Sequence, residues 1–165
     1  EQTIDDVLAL ARDAQQPREP HPLATLLRET ASHWEPHLRA AGRPFALDVE
    51  PSLPWVLASP QAIRQILDVL LDNAMYHGEG PIGLTASRLG EGAVIAVSDQ
   101  GSTTVDPVQI FVRRSEDAHG EGIGLALARR LAEAEALRLV VAGPGPGVVF
   151  HLVFGGPSHL SPDGP

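Results

Sequence analysis

Ser59-Pro60 opens a segment whose apolar residues, Ile63, Leu67, Leu70 and Ala74, recur at helical spacing and which stops near Gly78. A serine before a proline signals a helix start, since the hydroxyl can cap free N–H groups and the proline's fixed φ suits the first turn. An apolar stripe of that length has to be covered, and the flanking segments supply a sheet to cover it. Phe45, Leu47 and Val49 alternate like a strand, and Trp55-Val56-Leu57 is a short apolar run after Pro54. Residues from about Ile82 to Ser87 and Ala93 to Ser98 read as a hairpin joined by Gly90-Glu91-Gly92. A second hairpin joins Leu139–Ala142 to Val148–Phe154 across Gly143-Pro144-Gly145-Pro146-Gly147.

Three more helices follow from spacing. Ile4, Val7, Leu8 and Ala11 give an amphipathic opening; Leu23, Leu27, Ala31, Trp34 and Leu38 mark a helix from about Leu23 to Ala41, with Pro36 as a kink point; Ile123, Leu127 and Leu131 mark the last. Pro17, Pro20 and Pro22 read as a linker, and the polar stretch from Asp99 to Glu121 as a loop. The order implies an α+β fold with one mixed, mostly antiparallel sheet covered on one face.

A chain of 165 residues suits one domain, able to bury roughly 70% of its unfolded surface. Its 43% hydrophobic and 20% charged residues fit a soluble globular protein. No apolar run approaches the roughly 20 residues that span a bilayer, and there is no signal-like start. A chain beginning at Glu1 is expected to be a piece of a longer protein. With no cysteines there are no disulfides or thiolate metal sites, as suits a reducing compartment. The formal charge of −9 argues against a nucleic-acid partner, since phosphate contacts need a basic face.

Three sets of residues carry candidate chemistry. The helix from Pro60 to His77 has a second stripe, Val69, Asp72, Asn73 and Tyr76, which reads either as a solvated face or as a site. Asn73, at the boundary of the two stripes, could offer its amide oxygen to Mg²⁺, a hard ion. Asp99-Gln100-Gly101 follows the apolar strand Val94–Val97. Asp-x-Gly is commonly a turn, but a carboxylate at the mouth of an apolar pocket can accept from the amino group of adenine. Gly120-Glu121-Gly122-Ile123-Gly124-Leu125 leads into a helix, where phosphate could approach the N–H groups at the positive end of the dipole. It is not a dinucleotide-binding fingerprint, because Arg113–His119 before it is polar, and no Gly-Lys-Ser occurs.

The order of these pieces resembles the catalytic ATP-binding domain of bacterial sensor histidine kinases. Gln65–Ala74 looks like that family's N box, Asp99-Gln100-Gly101 its G1 box, Ile110-Phe111 its F box and Gly120–Leu125 its G2 box. The resemblance implies a two-layer α/β sandwich of the Bergerat type, with about three helices on one face of the sheet and a lid at about Ser102–His119. It implies residues 17–156 as the ATP-binding domain, 1–16 as the tail of an upstream dimerisation helix with its linker, and 157–165 as a flexible tail. By carry-over, Asn73 holds Mg²⁺, Asp99 reads adenine, Gly101 shapes the base pocket, and Gly120, Gly122, Gly124 and Leu125 lie along the phosphates, with His77 within reach of one. The implied cofactors are ATP and Mg²⁺. The implied partners are a histidine-bearing dimerisation domain of the same parent protein and a response regulator, with no membrane contact by this monomeric piece and a cytoplasmic location.

The family's acceptor histidine is followed by Glu or Asp. Here His21, His33, His37, His77, His119, His151 and His159 are followed by other residues, so the acceptor is expected outside this chain. His33 and His37, four apart, read as a surface pair rather than a metal clamp. The chain departs from the family pattern at Val69, where an Asn or a Glu base is usual, at Tyr76, where Lys or Arg is usual, and at Thr103, where a second glycine is usual. Beside the kinase reading these departures keep open a degenerate nucleotide-binding module with little or no transfer activity. A serine kinase of the anti-sigma type shares the implied fold.

Overall fold

The computed structural model describes residues 18–101, 122–142 and 147–156. The opening helix, the 102–119 lid, the F box, Gly120, Thr103 and the tail from 157 lie outside the described residues.

Strand β1 (Glu19–Pro22) leads directly into helix α1 (Leu23–Ala40). The stripe of α1, including Leu23, Leu27, Ala31, Trp34 and Leu38, is buried. Pro36 lies on its exposed side and one α-helix runs through it, because the lost N–H bond there falls on the solvent face. The helix closes with Gly42 in the left-handed region (φ 69°), Gly42 N donating to Arg39 O and Arg43 N to Leu38 O. Strands β2 (Phe45–Val49) and β3 (Trp55–Ala58) follow, then helix α2 (Pro60–His77). Ser59 Oγ accepts from Ala62 N at 3.3 Å, the cap expected from the Ser-Pro pair.

Strands β4 (Ile82–Leu89) and β5 (Gly92–Ser98) form a hairpin across the two residues Gly90 and Glu91, with Gly92 already paired to Leu89. Helix α3 (Gly122–Ala134) and strands β6 (Arg138–Val141) and β7 (Val149–Phe154) complete the elements of the described residues. The five-stranded sheet has the order β2-β4-β5-β7-β6; β2 and β4 are parallel and the other neighbours antiparallel. The parallel pair requires a crossover, and β3 with α2 provides it.

Strand alternation places Leu84, Val97 and Phe150 side by side on one face, with Ile95, Leu152 and Leu139 beside them, all buried. Ile63, Leu67, Leu70 and Ala74 of α2 join the same core, each at most 2% exposed. The three helices and the mixed five-stranded sheet make the α+β sandwich read from the sequence. Between α1 and α2, Trp34 Nε1 donates to Asp68 Oδ1 at 2.7 Å, so the indole is buried without an unmet donor.

One segment differs from the sequence reading. Pro20 and Pro22 belong to β1, which pairs antiparallel with β3 (Glu19 opposite Ala58, Pro22 opposite Trp55), and not to a linker. Two positions apart, both prolines can turn their nitrogens to the open side of an edge strand, where no donor is needed.

Helix α3 ends with Ala136 at φ 59°, Ala136 N donating to Glu133 O and Leu137 N to Ala132 O at 2.8 Å, so its last carbonyls are met by its own backbone. Beside this end the buried Glu135 accepts from Ser59 N at 3.0 Å and lies 3.4 Å from Arg18 Nε. Arg18 also donates to Ala134 O. The buried carboxylate thus ties the start of α2 to the end of α3. Glu135→Ala leaves the Ser59 N–H buried without an acceptor, and the expected cost is about 1–3 kcal/mol in urea unfolding. An unchanged midpoint would show that the tie contributes nothing.

Candidate functional site

The polar stripe of α2 faces the start of α3 across a cavity of about 320 Å³. Val69, Asp72, Asn73, Tyr76 and His77 line it from α2, Gly124 and Leu125 from α3. Its size falls in the range of small-molecule pockets. Asn73 is half-buried, which is what its place between the two stripes predicts; Tyr76 is 71% exposed and His77 exposed. A Cβ at Gly124 would sit 3.4 Å from Val69 Cγ1, so the missing side chain lets α3 begin close against α2. Gly122 is the first residue of α3, and the N–H groups of that turn, which have no acceptor within the helix, put the positive end of its dipole toward Gly124 and Leu125 in the cavity wall. Burial pushes the Asp72 carboxyl above its ordinary range; His77 pulls it back and Asp68 adds to the rise.

Asp99 stands just past β5, 7% exposed, packed against Gly78, the residue after the cavity-lining His77. Its Oδ1 accepts from Gly101 N at 2.7 Å, an Asx turn, and its own N–H donates to Val148 O at 3.1 Å. Glycines hem it in. A Cβ at Gly78 would lie 2.5 Å from Asp99 Cγ and 2.7 Å from Oδ2; one at Gly101 would lie 3.0 Å from Oδ1. Gly147, at φ 92°, brings its backbone so close that a Cβ would meet Asp99 O at 2.0 Å. Gln100 N donates to Glu79 O at 2.9 Å, so the turn after α2 and the turn after β5 are bonded together.

Of the residues singled out in the sequence, Asn73, His77, Gly124 and Leu125 line one cavity. Asp99 and Gly101 are not among the residues that line it; Asp99 packs against Gly78, the residue that follows His77. Gly122 opens the helix that carries Gly124, and Gly120 lies outside the described residues. Gly78 and Gly147 were missed as site residues: next to a helix end and inside a Gly-Pro run they read as punctuation, and only the fold puts both against Asp99. His33 and His37 have ring centres 5.3 Å apart, with His37 Nδ1 3.0 Å from His33 O. Among the described residues no group of three or more His, Asp or Glu side chains could hold a metal ion, so an ion here would need ligands from a substrate.

The profile of the histidine kinase-, DNA gyrase B- and HSP90-like ATPase family matches residues 58–155. A probable sensor histidine kinase of Mycobacterium tuberculosis is 34% identical over 133 residues, which is 75% of this chain and 34% of that protein. Full-length ShkA, solved in complex with AMPPNP, superposes with a TM-score of 0.76 at 30% identity, covering 93% of this chain and 35% of that one. The histidine kinase ThkA, solved in complex with the response regulator protein TrrA, shares the fold at 19% identity with a TM-score of 0.73, covering 93% of this chain and 47% of that one. The chain spans about a third of the length of the curated relatives it matches first. No helix among the described residues is long and apolar enough to cross a membrane. A cavity between an asparagine-bearing helix and a glycine-led helix start, a glycine-hemmed aspartate packed against Gly78, and these matches agree: the chain belongs to the histidine kinase-, DNA gyrase B- and HSP90-like ATPase family, alongside the catalytic domains of sensor histidine kinases.

Proposed function

We propose that this chain is the ATP-binding catalytic domain of a two-component sensor histidine kinase and passes the γ-phosphoryl group of ATP to a histidine on a separate dimerisation domain. One observation supports the reading: Asn73 and the start of α3 face one cavity, and Asp99 packs against Gly78, next in sequence to the cavity-lining His77. The triphosphate lies along Gly120, Gly122, Gly124 and Leu125, where free N–H groups and the helix dipole favour an anion. Adenine lies against Asp99 and Gly101, its amino group donating to the Asp99 carboxylate; His77 lines the cavity between the two ends. The donor set suits Mg²⁺: one amide oxygen from Asn73, with waters and phosphate oxygens to complete the shell. Held by Asn73, the ion would supply charge neutralisation to the phosphates.

In the transfer, the bond between the γ-phosphorus and the β–γ bridging oxygen breaks, a bond from phosphorus to the acceptor imidazole nitrogen forms, and ADP leaves with the electron pair. Such a loose, in-line displacement needs positioning and charge neutralisation more than covalent help, which a spare site can supply. The partners are the histidine-bearing dimerisation domain of the parent protein and a response regulator, such as the one seen on ThkA, and the location is cytoplasmic. Val69 in the cavity wall favours a second reading, a nucleotide-binding module without transfer, because a valine can neither polarise a nucleophile nor hold a metal-bound water.

Titration calorimetry with AMPPNP tests the first step. Binding that strengthens with Mg²⁺ is expected, and none in its presence sinks the reading. Radiolabelled ATP offered to the chain joined to its acceptor domain separates the two readings, since phosphohistidine forms only under the first.

A further inference from the structure

Helix α2 ends with a single backbone bond from its cap residue, Gly78 N donating to Ala74 O at 3.1 Å, and without a left-handed turn. Helices α1 and α3 end in left-handed residues that turn the chain back onto their last carbonyls, whereas α2 runs out through Gly78 in an extended conformation (φ −85°, ψ 172°). Beyond Ala74 O, which Gly78 N already reaches, the carbonyls at this end take partners from outside the helix. They find Arg43. The Arg43 Nη1 lies within hydrogen-bond distance of Ala74 O (2.9 Å), Met75 O (2.8 Å) and Gly78 O (2.9 Å), and Nε donates to Gly80 O at 2.8 Å. One guanidinium thus spans the last turn of α2 and the turn beyond it, across more than thirty positions of sequence.

Arg43 is itself anchored. Its N–H closes α1 on Leu38 O at 2.8 Å, and the carbonyl of Pro44 accepts from Ile82 N at 2.8 Å, at the start of β4. The turn it holds, Gly78–Gly80, is the one bonded to Gln100 through Glu79 O and packed on Asp99 with no room for a Cβ. A cation at this end also opposes the negative pole of the helix that carries Asn73.

We propose that Arg43 is the positioning residue of the base pocket: by holding Gly78–Gly80 against Asp99 and Gly101 it sets adenine specificity without touching the nucleotide. The inference rests on the proposed ATP site, which it deepens. Lysine is not equivalent, because Arg43 bonds from two separate nitrogens, Nη1 to the helix end and Nε to Gly80 O, and a single ammonium cannot hold both positions.

The test compares Arg43→Lys and Arg43→Ala with wild type and with Leu152→Val, a core change in β7 that lowers stability away from the site. Two readouts are followed in the 165-residue chain: hydrogen exchange at the Gln100 and Gly101 amides relative to Ile95 in β5, and the ratio of ATP to GTP affinity with and without Mg²⁺. Both Arg43 variants are expected to speed exchange at Gln100 and Gly101 about tenfold beyond any change at Ile95. They are also expected to cut the ATP-to-GTP ratio about tenfold while Mg²⁺ still strengthens binding. Leu152→Val should move exchange broadly and leave the ratio alone. An unchanged ratio in both Arg43 variants, or exchange that rises no more at Gln100 and Gly101 than at Ile95, overturns the proposal. Should wild type bind no ATP, the functional reading falls, and the exchange comparison still decides whether Arg43 holds the two turns together.

Discussion

Asn73→Ala is expected to remove the Mg²⁺-dependent part of ATP binding and to leave the fold intact. Asn73 is half-buried at the cavity, on the boundary of the α2 stripe, while Leu67, Leu70 and Leu71 on the inward stripe carry the packing. Alanine is the better helix former, so α2 loses nothing in propensity. What disappears is the amide oxygen proposed to bind the ion. Even a partner one step removed from a bound metal typically costs roughly 10–100-fold in affinity when lost, and a direct ligand should cost at least that. Calorimetry with AMPPNP in Mg²⁺ and in EDTA checks it: the two titrations should become alike, with an unchanged circular dichroism spectrum. A variant that keeps its full Mg²⁺ response would end the assignment of Asn73.

The second large effect is on base recognition. Asp99→Asn preserves shape but cannot preserve both of the carboxylate's tasks. One oxygen already accepts from Gly101 N at 2.7 Å. If the new amide keeps its oxygen there, its NH₂ meets the amino group of adenine, donor against donor; if it flips, the clash moves to Gly101. Either orientation leaves one mismatch, with an expected cost of about 1–3 kcal/mol in ATP affinity. Competition between ATP and GTP reads this as a reduced preference for ATP, and wild-type preference in Asp99→Asn would place the base elsewhere. Gly78→Ala should reach the same outcome by crowding, because its methyl carbon would lie 2.5 Å from Asp99 Cγ and the carboxylate would have to move. That variant should lose ATP preference with Asp99 still present.

Much of this was legible in the chain itself. The two stripes of α2 follow from 3.6-residue spacing alone, and Asn73 lies between them in the fold as it does in the pattern. The hairpins were legible from period-two alternation broken by glycines, with one shift: Gly92 pairs with Leu89 and only Gly90 and Glu91 turn. Period is a local property, and a local property survives being read one window at a time. The site was half legible. Asn73, Asp99 and the glycines announced themselves by type and order, yet the glycines that hem in Asp99 include Gly78 and Gly147, nearly seventy positions apart. Strand β1 was hidden because two prolines look like a break until β3 is beside them.

By itself, then, the sequence determined which of the described segments are helix or strand, β1 apart, which of their faces turn inward, and which residue types could serve a nucleotide. Tertiary structure alone decided the strand order β2-β4-β5-β7-β6, the closeness of α3 to α2, and the reach of Arg43 across the end of α2. The reason is physical: a stripe or an alternation is set by bonds and sterics a few residues long. An unpaired carbonyl or a crowded carboxylate is met by whatever group the folded chain brings within about 3 Å, and that distance carries no trace in sequence separation.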